Sequence, residues 1–183
     1  MVRAAALIAW LAWSVSTEGS AGTDREACAG AGACCSGEVP GGLDGLVSLS
    51  TVPERLTQGL LEPTIRSLLL QTVVLPIIVA VPWRSKQFPD KEYAVPHWLN
   101  ATPGVHVVRC ADWGPSTKLI AALDVAEDDQ AVIITVDDDT LYHPSMVENL
   151  LRHAARFPRA AVAHAGHRPV SYTHLTLPTN REV

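Results

Sequence analysis

At 183 residues, with 48% hydrophobic and 18% charged residues, the chain has enough apolar material for one domain with its own core. Its formal net charge is −5, and no cluster of Lys and Arg forms the basic stripe that grips a nucleic-acid backbone, so no nucleic acid is expected as a partner. A small anionic ligand is compatible with this charge, because a bound cation can offset it locally.

Residues 1–22 have the layout of a secretory leader. Arg3 supplies the basic start, residues 4–15 the apolar run, and Ser14, Ser16, Ser20, Ala21 and Gly22 the small residues suited to cleavage. The apolar run is shorter than the roughly 20 residues of a membrane span. The segment is therefore read as a signal peptide, or as a signal anchor giving membrane attachment where it is retained. Either form directs the chain to the secretory pathway: the Golgi or ER lumen, or the outside of the cell. Residues 23–44 continue a Gly-, Ala- and Ser-rich stretch from residue 17 and read as a flexible linker. Cys28, Cys34 and Cys35 fall in this stretch, with no second ligand pair at zinc spacing. Four cysteines suit a disulfide-permitting compartment without naming a pairing, and Cys110, at the end of an apolar run, reads as a small core residue. A sequon, Asn100-Ala101-Thr102, is followed by Pro103, which leaves its glycosylation open.

Further along, residues 45–50 predict a strand, and residues 63–71 a helix with Ile65, Leu68 and Leu69 on one face. Residues 75–81 form a continuous apolar run, as in a buried parallel strand, stopped by Pro82. A proline- and aromatic-rich connection spans 83–103. A strand is expected at 105–110, then a helix at 117–125 with Leu119, Ile120 and Leu123 as its apolar face, then a strand at 131–136. Residues 145–157 predict a helix, with Ser145 as N-cap and Glu148 completing a capping box. A last short strand is expected at 160–163. From residue 168 the periodicity is lost, and residues 171–183 resemble translated sequencing-adapter read-through, so 168–183 read as a non-native-looking or disordered tail. Strands alternating with helices over 45–167 predict an α/β domain with a mostly parallel sheet and flanking helices. Ligands of such sheets bind beyond the carboxyl ends of the strands.

Three polar segments sit at those ends. Asp137, Asp138 and Asp139 follow the strand at 131–136 directly. Three adjacent carboxylates repel one another and need exposure, hydrogen bonds or a cation to stay ionised together. Their hard oxygens suit Mg²⁺ or Mn²⁺, and the alternative reading is a solvated acidic turn. Lys118 stands in the first turn of the helix at 117–125, where the helix dipole disfavours a cation and free N–H groups favour an anion. Either Ser116 or Thr117 can cap that helix. At the end of the first strand comes Ser50-Thr51-Val52-Pro53-Glu54-Arg55, whose polar side chains line a nucleotide pocket or cap a turn.

Together these motifs resemble the nucleotide-diphospho-sugar transferases of the GT-A fold, over residues 45–167. The carriers are Ser50-Thr51-Val52-Pro53-Glu54-Arg55, Gly114-Pro115-Ser116-Thr117-Lys118-Leu119 and Ile133-Ile134-Thr135-Val136-Asp137-Asp138-Asp139. The resemblance implies a Rossmann-like nucleotide-binding half and sugar transfer from a nucleotide-diphospho-sugar donor to an unknown glycan, lipid or protein acceptor, with Mn²⁺ or Mg²⁺. It implies metal binding by Asp137 and Asp139, and donor contacts from Ser50, Thr51, Arg55, Lys118, Asp137 and Asp138. The acceptor half and its catalytic carboxylate lie beyond the acid run in that family, so the domain is read as incomplete and no catalytic residue is assigned. Val81, Pro82 and Trp83 stand where many relatives carry an acidic residue that reads uracil, so the base is unassigned.

Two rival readings have their own residues. Asp138-Asp139-Thr140-Leu141-Tyr142 resembles a haloacid-dehalogenase-type phosphatase signature, but Val136 stands where its nucleophilic carboxylate belongs. Trp83, Tyr93, Trp98 and Trp113 could stack on sugars in a non-catalytic carbohydrate-binding domain. His164 and His167 suggest a metal pair only weakly, because a spacing of three on an extended segment does not converge the rings.

Overall fold

In the computed structural model the described residues are 6–8, 35–37, 45–126 and 130–164, with 6–8 described as backbone. The apolar runs become parallel strands: β1 (Ala6–Ile8), β2 (Gly45–Ser50), β3 (Ile77–Pro82), β4 (Val105–Cys110) and β5 (Val132–Thr135). They lie in the order β1-β5-β2-β3-β4, every neighbouring pair parallel. This is the α/β fold expected from the alternation of elements.

Alternation along β3 divides the core into two layers. Ile77, Val79 and Val81 face one layer with Val47, Leu49 and Ile134, while Ile78 and Ala80 face the other with Leu46, Val108 and Ile133. All of β3 is buried, as its uninterrupted apolar sequence requires of a strand covered on both faces. The first layer is covered by α1 (Pro53–Thr57), α2 (Glu62–Leu69), α3 (His97–Ala101) and α5 (Met146–Arg156). The second is covered by α4 (Thr117–Val125).

Several expectations are corrected. Helix α4 turns Ala121 and Ala122 to the sheet and leaves Leu123 exposed, because small side chains let its backbone approach closely. That approach is visible where the Ser48 hydroxyl donates to the Lys118 carbonyl at 2.7 Å. The Ser145 side chain makes no cap bond; its hydroxyl meets His143 Nδ1 at 2.9 Å, and Glu148 pairs with Arg152 and Thr72. Residues 160–163 form no strand, and the connection at 83–103 contains α3. At Gly45 the two strands nearly touch, since a Cβ there would lie 2.9 Å from the Val132 carbonyl oxygen.

Of the expected leader, Ala6–Ile8 is described, and it pairs with Ile133, Ile134 and Thr135 of β5. Within the expected linker, Ser36 forms an antiparallel bridge to Arg109 on the outer side of β4. The expected tail at 168–183, and His167 with it, lie outside the described residues. No helix among the described residues is long and apolar enough to cross a membrane.

Candidate functional site

The carboxyl ends of β2, β3, β4 and β5 open on one cleft of about 470 Å³. Ser50, Thr51 and Val52 line it from β2, while Ser85 and Tyr93 come from the connection after β3. Asp112, Thr117 and Lys118 come from the turn into α4, and Asp137 and Asp138 from the end of β5. The cleft thus stands where open parallel sheets hold ligands.

Lys118 points from the first turn of α4 back to the sheet. Its ammonium pairs with the Asp137 carboxylate and donates to the Val136 carbonyl at 3.0 Å. With its side chain 15% exposed, it is a fixed cation rather than a solvated one. The Asp137 N–H donates to the Tyr142 hydroxyl at 2.7 Å, and that hydroxyl donates to the Asp137 carbonyl at 3.2 Å. Burial, opposed by the bond to Asp137, pushes the Tyr142 phenol up to about 12, so it stays a neutral anchor for the turn.

Asp138 is the buried member of the acid run. Burial raises its pKa, against the opposing pull of the Arg55 guanidinium. One oxygen pairs with Arg55; the other, Oδ2, has no hydrogen-bond partner, and neither has the Thr51 hydroxyl. The two unfilled groups border the same cleft. Below the turn, Thr64 of α2 donates to the Asp138 carbonyl at 3.1 Å.

Arg55 and Asp139 do not line the cleft. Arg55 projects from α1 and bridges the acid run from outside, holding Asp138 and also Asp139, the latter at 2.9 Å. The Asp139 side chain is 56% exposed. Of the sequence-selected residues, the fold therefore brings together Ser50, Thr51, Lys118, Asp137 and Asp138, and sets Arg55 and Asp139 behind them.

Among the described residues no group of three or more His, Cys, Asp and Glu side chains could hold a metal ion. Asp137 and the unfilled Asp138 Oδ2 nonetheless suit an ion that arrives with a diphosphate. Mg²⁺ takes one or two carboxylates from a protein and completes its shell with phosphate oxygens and water.

Sequence reasoning missed Ser85 and Gln87 as cleft residues and Asp112 as its organiser, and named Tyr93 only as a sugar-stacking candidate of a carbohydrate-binding domain. Asp112 accepts the Lys86 and Gly114 N–H groups, each at 2.7 Å, and so ties the loop after β3 to the turn before α4. The Asp-x-Gly spacing was the available signal, since Asp binding the N–H two residues on is an Asx-turn. Of the four aromatics, Tyr93 alone lines the cleft. Trp98 and Trp113 pack against the core layers, and Trp83 lies outside on Arg109, 4.7 Å from guanidinium to ring.

A second depression, of about 390 Å³, lies beside Tyr142 and is lined by Leu141, His143, Met146, Leu150 and His164.

A family model, Glycosyl transferase family 2, matches residues 91–181. The match takes in Lys118 and the whole acid run and continues past residue 167; Ser50, Thr51 and Arg55 precede it. No curated protein matches the chain. The matched acid run is thereby read as glycosyltransferase sequence, and the phosphatase reading has no support beyond its own short string. The parallel sheet, its flanking helices and this match fit a GT-A, nucleotide-sugar-transferase-like fold.

Proposed function

We propose that the chain takes part in metal-dependent transfer of a sugar from a nucleotide-diphospho-sugar, held in the cleft at the strand ends, to a glycan, lipid or protein acceptor. One observation carries the reading: a fixed lysine and two carboxylates from separate elements border one cleft at the carboxyl end of a parallel sheet. A glycosyltransferase-type domain agrees with the family match, and members of that family commonly use divalent metals.

In this reading Ser50 and Thr51 offer hydroxyls to the nucleoside, with Tyr93 on the opposite wall. Lys118 faces the diphosphate and exchanges its ion pair with Asp137 for phosphate oxygens. A Mn²⁺ or Mg²⁺ ion would be held by Asp137 with Asp138 or Asp139, and would supply charge neutralisation for the departing diphosphate. Asp139 reaches that role only by leaving Arg55. Arg55 itself acts on the acid run and not on the nucleotide.

The experiment is calorimetric titration of UDP and GDP into the chain with Mn²⁺ and with EDTA. Binding is expected only with metal, and Asp137→Asn should weaken it at least about tenfold, the effect of losing one charge-assisted contact. Equal affinity in EDTA would overturn the reading.

A further inference from the structure

Two cysteines are brought face to face by a segment that looked like a featureless linker. Cys35, Ser36 and Gly37 run antiparallel to the outer side of β4. Ser36 N–H donates to the Arg109 carbonyl and Arg109 N–H to the Ser36 carbonyl, each at 2.8 Å. When one facing pair exchanges both bonds, the residues one step away form the non-hydrogen-bonded pair. Here those residues are Cys35 and Cys110. Such a pair holds its Cα atoms about 4.5 Å apart with the side chains close, within the roughly 4.4–6.8 Å that a disulfide spans.

Packing agrees with the register. Cys110 is fully buried in the layer under α4, and the half-buried Cys35 packs against that layer. Both are free thiols and lie in contact. That contact, together with burial and the nearby Asp124, pushes the Cys35 thiol up.

The geometry points to a disulfide between Cys35 and Cys110 that staples the segment before β2 to the outer edge of β4. Its formation breaks two S–H bonds and makes one S–S bond. The two electrons and two protons pass to an oxidising disulfide, such as glutathione disulfide, which leaves as two thiols. The docked Cys35 is held as a thiol and Cys110 is covered, so exchange begins while the segment is undocked and ends as it docks. The bond would cover an open sheet edge and fix the end of β4, two residues before Asp112 and the cleft wall it organises.

The test uses the full chain folded in a mixture of reduced and oxidised glutathione. Thiols are blocked by alkylation in denaturant, and unreduced tryptic peptides are weighed by mass spectrometry. A link between peptides 26–55 and 110–118 is expected in the wild type. It should persist in Cys28→Ser and Cys34→Ser and vanish in Cys35→Ser, which alters a half-buried position and leaves the core intact. Reductant should lower the wild-type unfolding midpoint by several degrees and leave Cys35→Ser unmoved. An alkylated Cys110 in the oxidised wild type, a link that survives Cys35→Ser, or a wild-type midpoint indifferent to reductant each overturns the staple.

Discussion

Arg55 neutralises a carboxylate that the fold has already half stripped of partners. Asp138 is buried, one of its oxygens is unfilled, and the other depends on the guanidinium. Arg55→Ala should therefore lower stability by about 1–2 kcal/mol, below the cost of breaking a fully buried pair because the arginine is partly solvated. Asp138→Asn should do the opposite, keeping the shape and the bond to Arg55 while removing the buried charge. A gain of up to about 1 kcal/mol is expected, alongside weaker nucleotide binding. Urea unfolding of the two variants checks both signs, and two equal losses would show that the turn is held by something other than this charge balance.

At the scale of elements, Gln71 joins α2 to α5. Its amide N–H groups donate to the Ser67 and His143 carbonyls, each at 3.0 Å, and its oxygen accepts the Val147 N–H at 3.0 Å. The N-terminal turn of α5 is thus capped from the connection just after α2, the job expected of Ser145. Gln71→Ala should cost about 2–4 kcal/mol in urea unfolding, since it leaves the Val147 N–H and the His143 carbonyl unpaired in a buried place. Ser145→Ala should cost well under half of that. The reversal explains which parts of the fold were legible. Strands β2 and β4 and helix α4 carry their bounds in local pattern, an apolar run or a 3.6-residue repeat, and their observed ends coincide with the expected ones. The five-residue helices α1 and α3 are too short to show a period. The cap on α5 comes from a residue 76 positions away, and no local signal announces it. The site divides in the same way. Lys118 and the acid run stood out as charges at the ends of apolar runs, whereas Tyr93 and Ser85 reach the cleft from a loop tied down by Asp112 across 26 positions.

For the whole molecule, the N-terminal segment holds two proposed fates that exclude each other in the mature chain. As β1, Ala6–Ile8 covers the outer side of β5; as a cleaved leader, it leaves β5 as the sheet's edge. We favour the secretory reading on the Arg3-led apolar run, and it agrees with a cysteine staple that needs an oxidising environment. Residues 1–44 fused to a glycosylatable reporter should carry it into the lumen, read as a glycan-dependent mass shift. A reporter left unmodified in the cytosol would remove the leader and restore β1 as a structural strand.

The strand order also sets a timetable for synthesis. After β1, whose partner β5 is not yet made, strands β2, β3 and β4 emerge and pair outward in one direction, so for more than 80 residues of elongation one side of β2 has no partner; β5 fills it only after α4 has crossed back over the sheet. That side belongs to a strand whose Leu46, Val47 and Leu49 are buried in the finished fold. A nascent chain paused before residue 132 presents an open, apolar strand edge, the kind of surface that pairs with other chains. The acid run that completes the cleft arrives with the strand that closes this edge, so the ligand site comes into being at the moment the vulnerability ends.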